Sequence, residues 1–417
     1  MMIPPFALAF TWLVVPFASK RDPKAGKKLL HGKRKSSIVR SSSLQASGDD
    51  NDGGASGGGL EFLDCHHHFY DTMNNDFSFF LKDHFPNESY LPYEYYNDVV
   101  EPIEDSERLA QLSSGRRNIR HVGSVHIELM PDDGLDEVWW VEDVQIRTQR
   151  ANDNPYVNVQ AMVASCDLAD PDLEAVRRNL EALQDFSPKV KGIRWILDCE
   201  GPRFDESGKN VVNPATPVAN LRHDGIDYLN DDQHQAESFA KGYALLADCG
   251  FSFDLHCSPK QLQAAAQLCA NHPNIPVVIN HLGRPFRLFG ENNSEMMPDE
   301  AKLDEWREGM RAMAKLPHVH VKISGLGWAI PNWTASARRK DLVKKLCQET
   351  VQLFGPERCM IGTNWWMDGG RSDGGSTTDG PSADEYLEYM LDFFGGLTPK
   401  EQQLLFAGTA KKFYKIE

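Results

Sequence analysis

Leu60-Glu61-Phe62-Leu63-Asp64-Cys65-His66-His67-His68 is a short apolar strand that ends in Asp-x-His-x-His. Side chains alternate across a strand, so His66 and His68 are expected on one side and Cys65 and His67 on the other. Two imidazoles two residues apart can converge on one metal ion or one substrate. Imidazole is also the side chain suited to proton transfer near neutral pH. Three histidines in a wet turn would be the plainer account, but the strand pattern recurs down the chain. Apolar runs follow at His121–Leu129, Val157–Cys166, Val190–Leu197, Phe251–His256, Pro276–His281, Val319–Ser324 and Cys359–Asn364. Amphipathic stretches lie between them, at Pro171–Leu183, Gln235–Asp248, Pro259–Asn271, Pro298–Ala314 and Ala337–Phe354. Strands alternating with helices argue for βα units and a parallel sheet.

Eight such units in about 350 residues predict an α/β fold, a single-domain (β/α)8 TIM barrel with loop insertions. In that architecture the chemistry sits at the carboxyl ends of the strands. His66, His68, Glu128, Arg194, His256, His281, Ser324 and Asn364 fall at those ends. A doubly wound open sheet is the alternative, but no Gly-x-Gly-x-x-Gly follows any strand to support a dinucleotide site. Gly201–Asp232 and Asp368–Asp384 read as long loops over the barrel mouth, either substrate walls or plain surface.

The chain of 417 residues carries a net charge of −16. Residues 1–47 hold nine Lys or Arg and one Asp, a net of +8, which leaves −24 for the remainder. An acidic body speaks against nucleic acid or an anionic membrane as partner and leaves a small-molecule substrate, with a homo-oligomer compatible. The apolar run Pro4–Phe17 is too short to be a comfortable membrane span. A basic, Ser-rich stretch follows it, and then the Gly-rich linker Gly53–Gly59. Residues 1–55 are therefore expected to be a targeting presequence and linker, with the barrel domain over residues 60–417. An apolar run followed by a basic, Ser-rich one resembles bipartite plastid presequences. A secretory signal or a mitochondrial presequence is the alternative. Eight cysteines with no Cys-x-x-Cys argue against a disulfide framework and favour a reducing compartment.

Six motifs occur in a telling order: Asp64–Tyr70 (DCHHHFY), Phe253–His256 (FDLH), Val278–Pro285 (VINHLGRP), Val321–Gly325 (VKISG), Cys359–Asp368 (CMIGTNWWMD) and Phe406–Tyr414 (FAGTAKKFY). Together they resemble the amidohydrolase-related branch of the metal-dependent hydrolases, above all its fuconolactonase-like and dicarboxylate-lactonase-like members. The resemblance implies that His66, His68 and His256 are metal ligands where the member is metal-dependent. It implies that His281 contacts metal or polarises the substrate carbonyl. At the strand-eight position, where an Asp activates water, this chain has Asn364, and an amide accepts no proton at neutral pH. Asp368 completes an Asn-x-x-x-Asp arrangement seen in some relatives and ranks first as the base, with Glu128 second.

Opening a lactone needs a nucleophilic water, a polarised carbonyl and a donor for the leaving oxygen. A divalent metal such as zinc supplies the first two with three ligands and one open position. In the metal-independent lactonases the histidines polarise the carbonyl themselves. Arg194 and Arg284 are candidate clamps for an oxygen-rich substrate, or else structural ion pairs. Trp365 and Trp366 would form a sugar-stacking wall or pack into the core. Glu128 is a ligand, a base, or the partner of Arg194. The function expected is therefore a lactone hydrolase. The alternatives are a metal-dependent decarboxylase of an aromatic or unsaturated acid, and a barrel that has lost its base and no longer catalyses.

Overall fold

Eight strands run parallel in the order of the sequence, and each is followed by helix, in a computed structural model of the chain. The structure describes residues 59–75, 78, 81–82, 88–107, 109, 119–152, 158–199, 226–230, 234–285, 288, 297–330, 332–365 and 380–417. The presequence expected over residues 1–55 lies outside them, as do Asp368, Trp366 and most of both long loops. The strands are β1 (Leu60–His67), β2 (Ile119–Ile127), β3 (Val159–Ser165), β4 (Val190–Arg194), β5 (Ser252–Leu255), β6 (Val277–Ile279), β7 (Val319–Ile323) and β8 (Cys359–Ile361). Every adjacent pair from β1 to β8 is hydrogen-bonded in parallel. The ring closes at its carboxyl rim, where His67 bridges to Trp365. There Asn364 N donates to His66 O at 2.8 Å and His68 N to Trp365 O at 3.0 Å. This is the closed (β/α)8 barrel expected.

The outer layer comprises α1 (Gly134–Asn152), α2 (Leu173–Phe186), α3 (His234–Ala244), α4 (Leu262–Asn271), α5 (Glu300–Ala314), α6 (Ala337–Phe354) and α7 (Ala383–Phe393). Between β1 and β2 the chain is helical over residues 92–104, with a π segment at Tyr96–Val100 between two short α segments. Local chemistry starts these helices. Asp172 caps α2 by accepting from Glu174 N and Ala175 N, and Asp299 caps α5 in the same way. Val176, Leu180 and Leu183 lie one helical turn apart and bury the inner face of α2.

Two apolar layers result. Phe62, Val159, Ile193, Phe253, Val277, Val321 and Ile361 face the helices. Leu63, Cys65, Val125, Ile127, Ala161, Val163, Val278 and Met360 fill the barrel itself, where Ala407, Ala410, Phe413 and Tyr414 join them. The FAGTAKKFY motif therefore helps to fill the barrel. The ladders carry several register shifts that break simple alternation, and one of them bears on the site. The register of β1 against β2 shifts between Asp64 and His67. That irregularity turns Cys65 into the barrel beneath His66, where alternation had placed it on the far side.

Candidate active site

Four histidines meet at the carboxyl mouth. The ring of His66 lies 5.0 Å from that of His68 and 4.5 Å from that of His281, between centroids. His256 stands 5.4 Å from His281. β1, β5 and β6 deliver them, and all four are buried. His281 owes its aim to an unusual backbone, since His281, Leu282, Gly283 and Arg284 all have φ between 53° and 70°. Runs of left-handed residues are costly and gather at functional loops. Gly325 makes the room: a Cβ there would stand 2.6 Å from His281 Nδ1. His281 Nδ1 is held by Ser324 Oγ at 2.9 Å, and His68 Nδ1 by the Ile127 carbonyl at 2.8 Å.

Burial holds all four imidazoles well below their ordinary pKa, so they are neutral at pH 7. Nearby cations deepen the effect: Lys322 for His66, and Arg194 for His68 and His256. For His281 the neighbouring His256 comes next after burial, and then Arg194.

Three buried ion pairs frame the histidines. Arg194 Nε donates to Glu128 Oε1 at 2.7 Å, and an Arg194 Nη donates to the Glu128 carbonyl. Met130 N donates to the other carboxylate oxygen at 2.7 Å. Glu128 thus takes the ion-pair role, with both oxygens engaged, and is poorly placed to be the second-ranked base. Arg284 pairs with Asp198, which the sequence gave no reason to single out. Both expected clamps therefore spend charge on carboxylates of the chain itself. The third pair joins Lys322 on β7 to Asp254 on β5 at 2.5 Å, and both residues are fully buried.

Asn364 takes φ 56°, a conformation asparagine tolerates better than most residues. Its amide helps to close the ring onto β1. Trp365 is 1% exposed and packs in the layer between strands and helices, so of the two readings its ring takes core packing and not the sugar-stacking wall. Asp368, the first-ranked base, lies outside the described residues. Sequence reading gave no role to Asp64, Asp198, Asp254, Asn280, Lys322 or Tyr414, although all but Asp198 lie in the six motifs. For Lys322 and Asp254 a signal was present, because each is the lone charge in an apolar strand. Alternation puts Lys322 on the side of Ser324 and Asp254 on the side of His256.

A zinc site built from His66, His68 and His256 would need three converging lone pairs. Among the described residues no group of three or more His, Cys, Asp or Glu side chains is arranged to hold a metal ion. The surroundings of His66 point the same way. A ligating imidazole normally gives its second N–H to an acceptor. His66 Nδ1 instead faces the Lys322 ammonium at 3.4 Å. His66 so placed does not fit the pattern of a metal ligand, whereas His68, whose Nδ1 meets the Ile127 carbonyl, does.

The family model named Amidohydrolase matches residues 63–416. The chain is 32% identical over 216 residues to the L-fucono-1,5-lactonase of Burkholderia multivorans, a match spanning 51% of this chain and 70% of that protein. It is 27% identical over 199 residues to the uncharacterized protein y4mH of Sinorhizobium fredii, spanning 47% of this chain and only 59% of that relative. A solved amidohydrolase of Burkholderia multivorans with bound HEPES superposes with a TM-score of 0.57 at 21% identity, covering 85% of this chain and 99% of that one. The same values hold for a second crystal described with bound Zn. At that identity the likeness speaks to the fold. The six motifs, the closed barrel with histidines at its mouth and a family match over nearly all of the barrel agree, and the chain belongs to the amidohydrolase family.

Proposed function

We propose that this protein hydrolyses the lactone of a polyhydroxy or carboxylated acid, a sugar-acid lactone being the first candidate. The observation that carries the reading is the set of four neutral imidazoles gathered at one point of the mouth. Neutral imidazoles donate hydrogen bonds to a carbonyl oxygen without adding a buried charge. The resemblance to a protein named as a fuconolactonase supports the substrate class.

Water adds to the lactone carbonyl carbon while His66 and His281 polarise the oxygen. The tetrahedral intermediate then expels the ring oxygen, which receives the proton that the base took from the water, and the product is the open hydroxy acid. Asp368 is the base assigned to the water. His68 is the candidate among the described residues, because Ile127 O fixes its proton on Nδ1 and leaves the Nε2 lone pair available.

A panel of sugar-acid and dicarboxylate lactones, followed with a pH indicator, tests the reading. At least one lactone should be turned over, and His281→Ala should abolish the activity. Asp368→Asn should lower kcat by about 10²–10⁴; an unchanged rate moves the base to His68. Release of carbon dioxide from unsaturated or aromatic acids, with every lactone untouched, would overturn the proposal in favour of a decarboxylase.

A further inference from the structure

The Lys322–Asp254 pair lies against His66 and has no part in the chemistry above. Asp254 is supplied with donors on every side: Lys322 Nζ at 2.5 Å, Tyr414 OH at 2.9 Å and Asn280 Nδ2 at 3.0 Å. These contacts pin the ammonium in place. Its remaining reach is toward His66, where Nζ lies 3.4 Å from Nδ1, at the long end for a hydrogen bond.

An ammonium has three donors and no lone pair. A proton on His66 Nδ1 would therefore set N–H against N⁺–H in a fully buried site, where repulsion is weakly screened. The favourable arrangement presents the Nδ1 lone pair to Lys322. A neutral imidazole carries a single proton, so that proton stands on Nε2. His66 Nε2 is buried and has no hydrogen-bond partner among the described residues. It is the atom left over for a ligand.

We propose that Lys322, held by Asp254, is a positioning residue that fixes His66 in the Nε2–H tautomer, so that His66 donates to a substrate oxygen and does not ligate a metal through Nε2. His68 is set the opposite way by the Ile127 carbonyl, which leaves its Nε2 as an acceptor. Two imidazoles 5.0 Å apart thus offer complementary faces. One is a donor for the carbonyl oxygen and the other an acceptor for a proton of water. The catalytic consequence rests on the lactonase reading; the tautomer itself does not.

Full-length protein labelled with ¹⁵N-histidine decides the matter, with His66→Gln assigning the resonance. Two-bond ¹H–¹⁵N correlations should show the His66 proton on Nε2, unchanged by equimolar zinc. A proton on Nδ1, or displacement of the Nε2 proton by zinc, overturns the proposal. The double variant Lys322→Met/Asp254→Asn removes the pair without stranding a buried charge. It should let His66 sample both tautomers and should lower kcat by up to about 10²–10³, the effect of losing one oxyanion donor, with KM little changed. A folded double variant that keeps the Nε2 proton also overturns it, since Lys322 would then not be its cause. Should the double variant not fold, the wild-type spectrum still decides. A wild-type protein with the Nε2 proton in place and no activity on any lactone sinks the lactonase reading and leaves the tautomer standing.

Discussion

Glu128 shows how one carboxylate can look like a base in sequence and serve as an ion-pair partner in the fold. It ends β2 at the mouth, yet it is 1% exposed and its partner Arg194 is 3% exposed. Removing one member of a buried pair strands the other in a poorly solvating interior, which typically costs about 3–5 kcal/mol. Glu128→Gln keeps the shape and an acceptor for Met130 N but removes the charge. Urea unfolding should therefore report a stability loss of about 3–5 kcal/mol, with the m-value unchanged. A variant of wild-type stability whose turnover alone has collapsed would return Glu128 to the role of base. Asn364 follows the same logic from the other side: its left-handed backbone, which asparagine tolerates better than most residues, accounts for an asparagine there without any catalytic demand.

Between elements, the closure of β8 onto β1 is held by one residue of the opening motif. Asp64 Oδ1 accepts from Thr363 N at 2.8 Å and from His66 N at 3.1 Å. Its Oδ2 accepts from Thr363 Oγ1 at 2.5 Å and from Tyr95 OH at 2.7 Å. Asp64→Ala would leave three buried donors unanswered, each worth about 1–3 kcal/mol when orphaned, while Tyr95 OH keeps His121 Nε2 at 3.2 Å. The expected outcome is a loss of at least about 3 kcal/mol. Hydrogen exchange should also accelerate at Asn364 and His68 while β4–β5 stays protected. Equal acceleration in every strand would show that Asp64 supports the whole barrel and not this seam. Much of this architecture was legible in the chain, because strand and helix periods are local and each of the eight strands overlaps an expected run, β2 starting two residues earlier at Ile119. The mouth histidines were legible too, since they end those runs. What was hidden depends on distant partners. The irregularity at Asp64–His67 is set by pairing with β2. Lys322 meets Asp254 across 68 positions of sequence. The left-handed turn at His281–Arg284 needs the space that Gly325 leaves.

Taken as a whole, the molecule buries an unusual number of neutral imidazoles. His66, His67, His68, His256 and His281 are all held well below the ordinary value of 6.5, chiefly by burial. His121 and His320 are brought down to about 4 by the same cause. In the unfolded chain each titrates near 6.5, while in the folded chain each stays neutral until far lower pH. Between those limits the unfolded state binds more protons, so stability rises with pH there. It is fully present above about 6.5 and is lost as pH falls below that value, by about 1.4 kcal/mol per pH unit for each histidine. Asp64 and Glu137 offset part of the loss, because burial raises their carboxyl pKa values and the folded form takes up those protons first. Urea unfolding should therefore show a plateau above pH 7 and a steep decline between pH 6.5 and pH 4. Unfolding at pH 5.5 should be accompanied by uptake of about five protons or more per chain. A stability that stays flat from pH 7 to pH 5 would mean that the imidazoles are solvated or already charged in the folded protein. Carbonyl polarisation by neutral histidines would then fall with it.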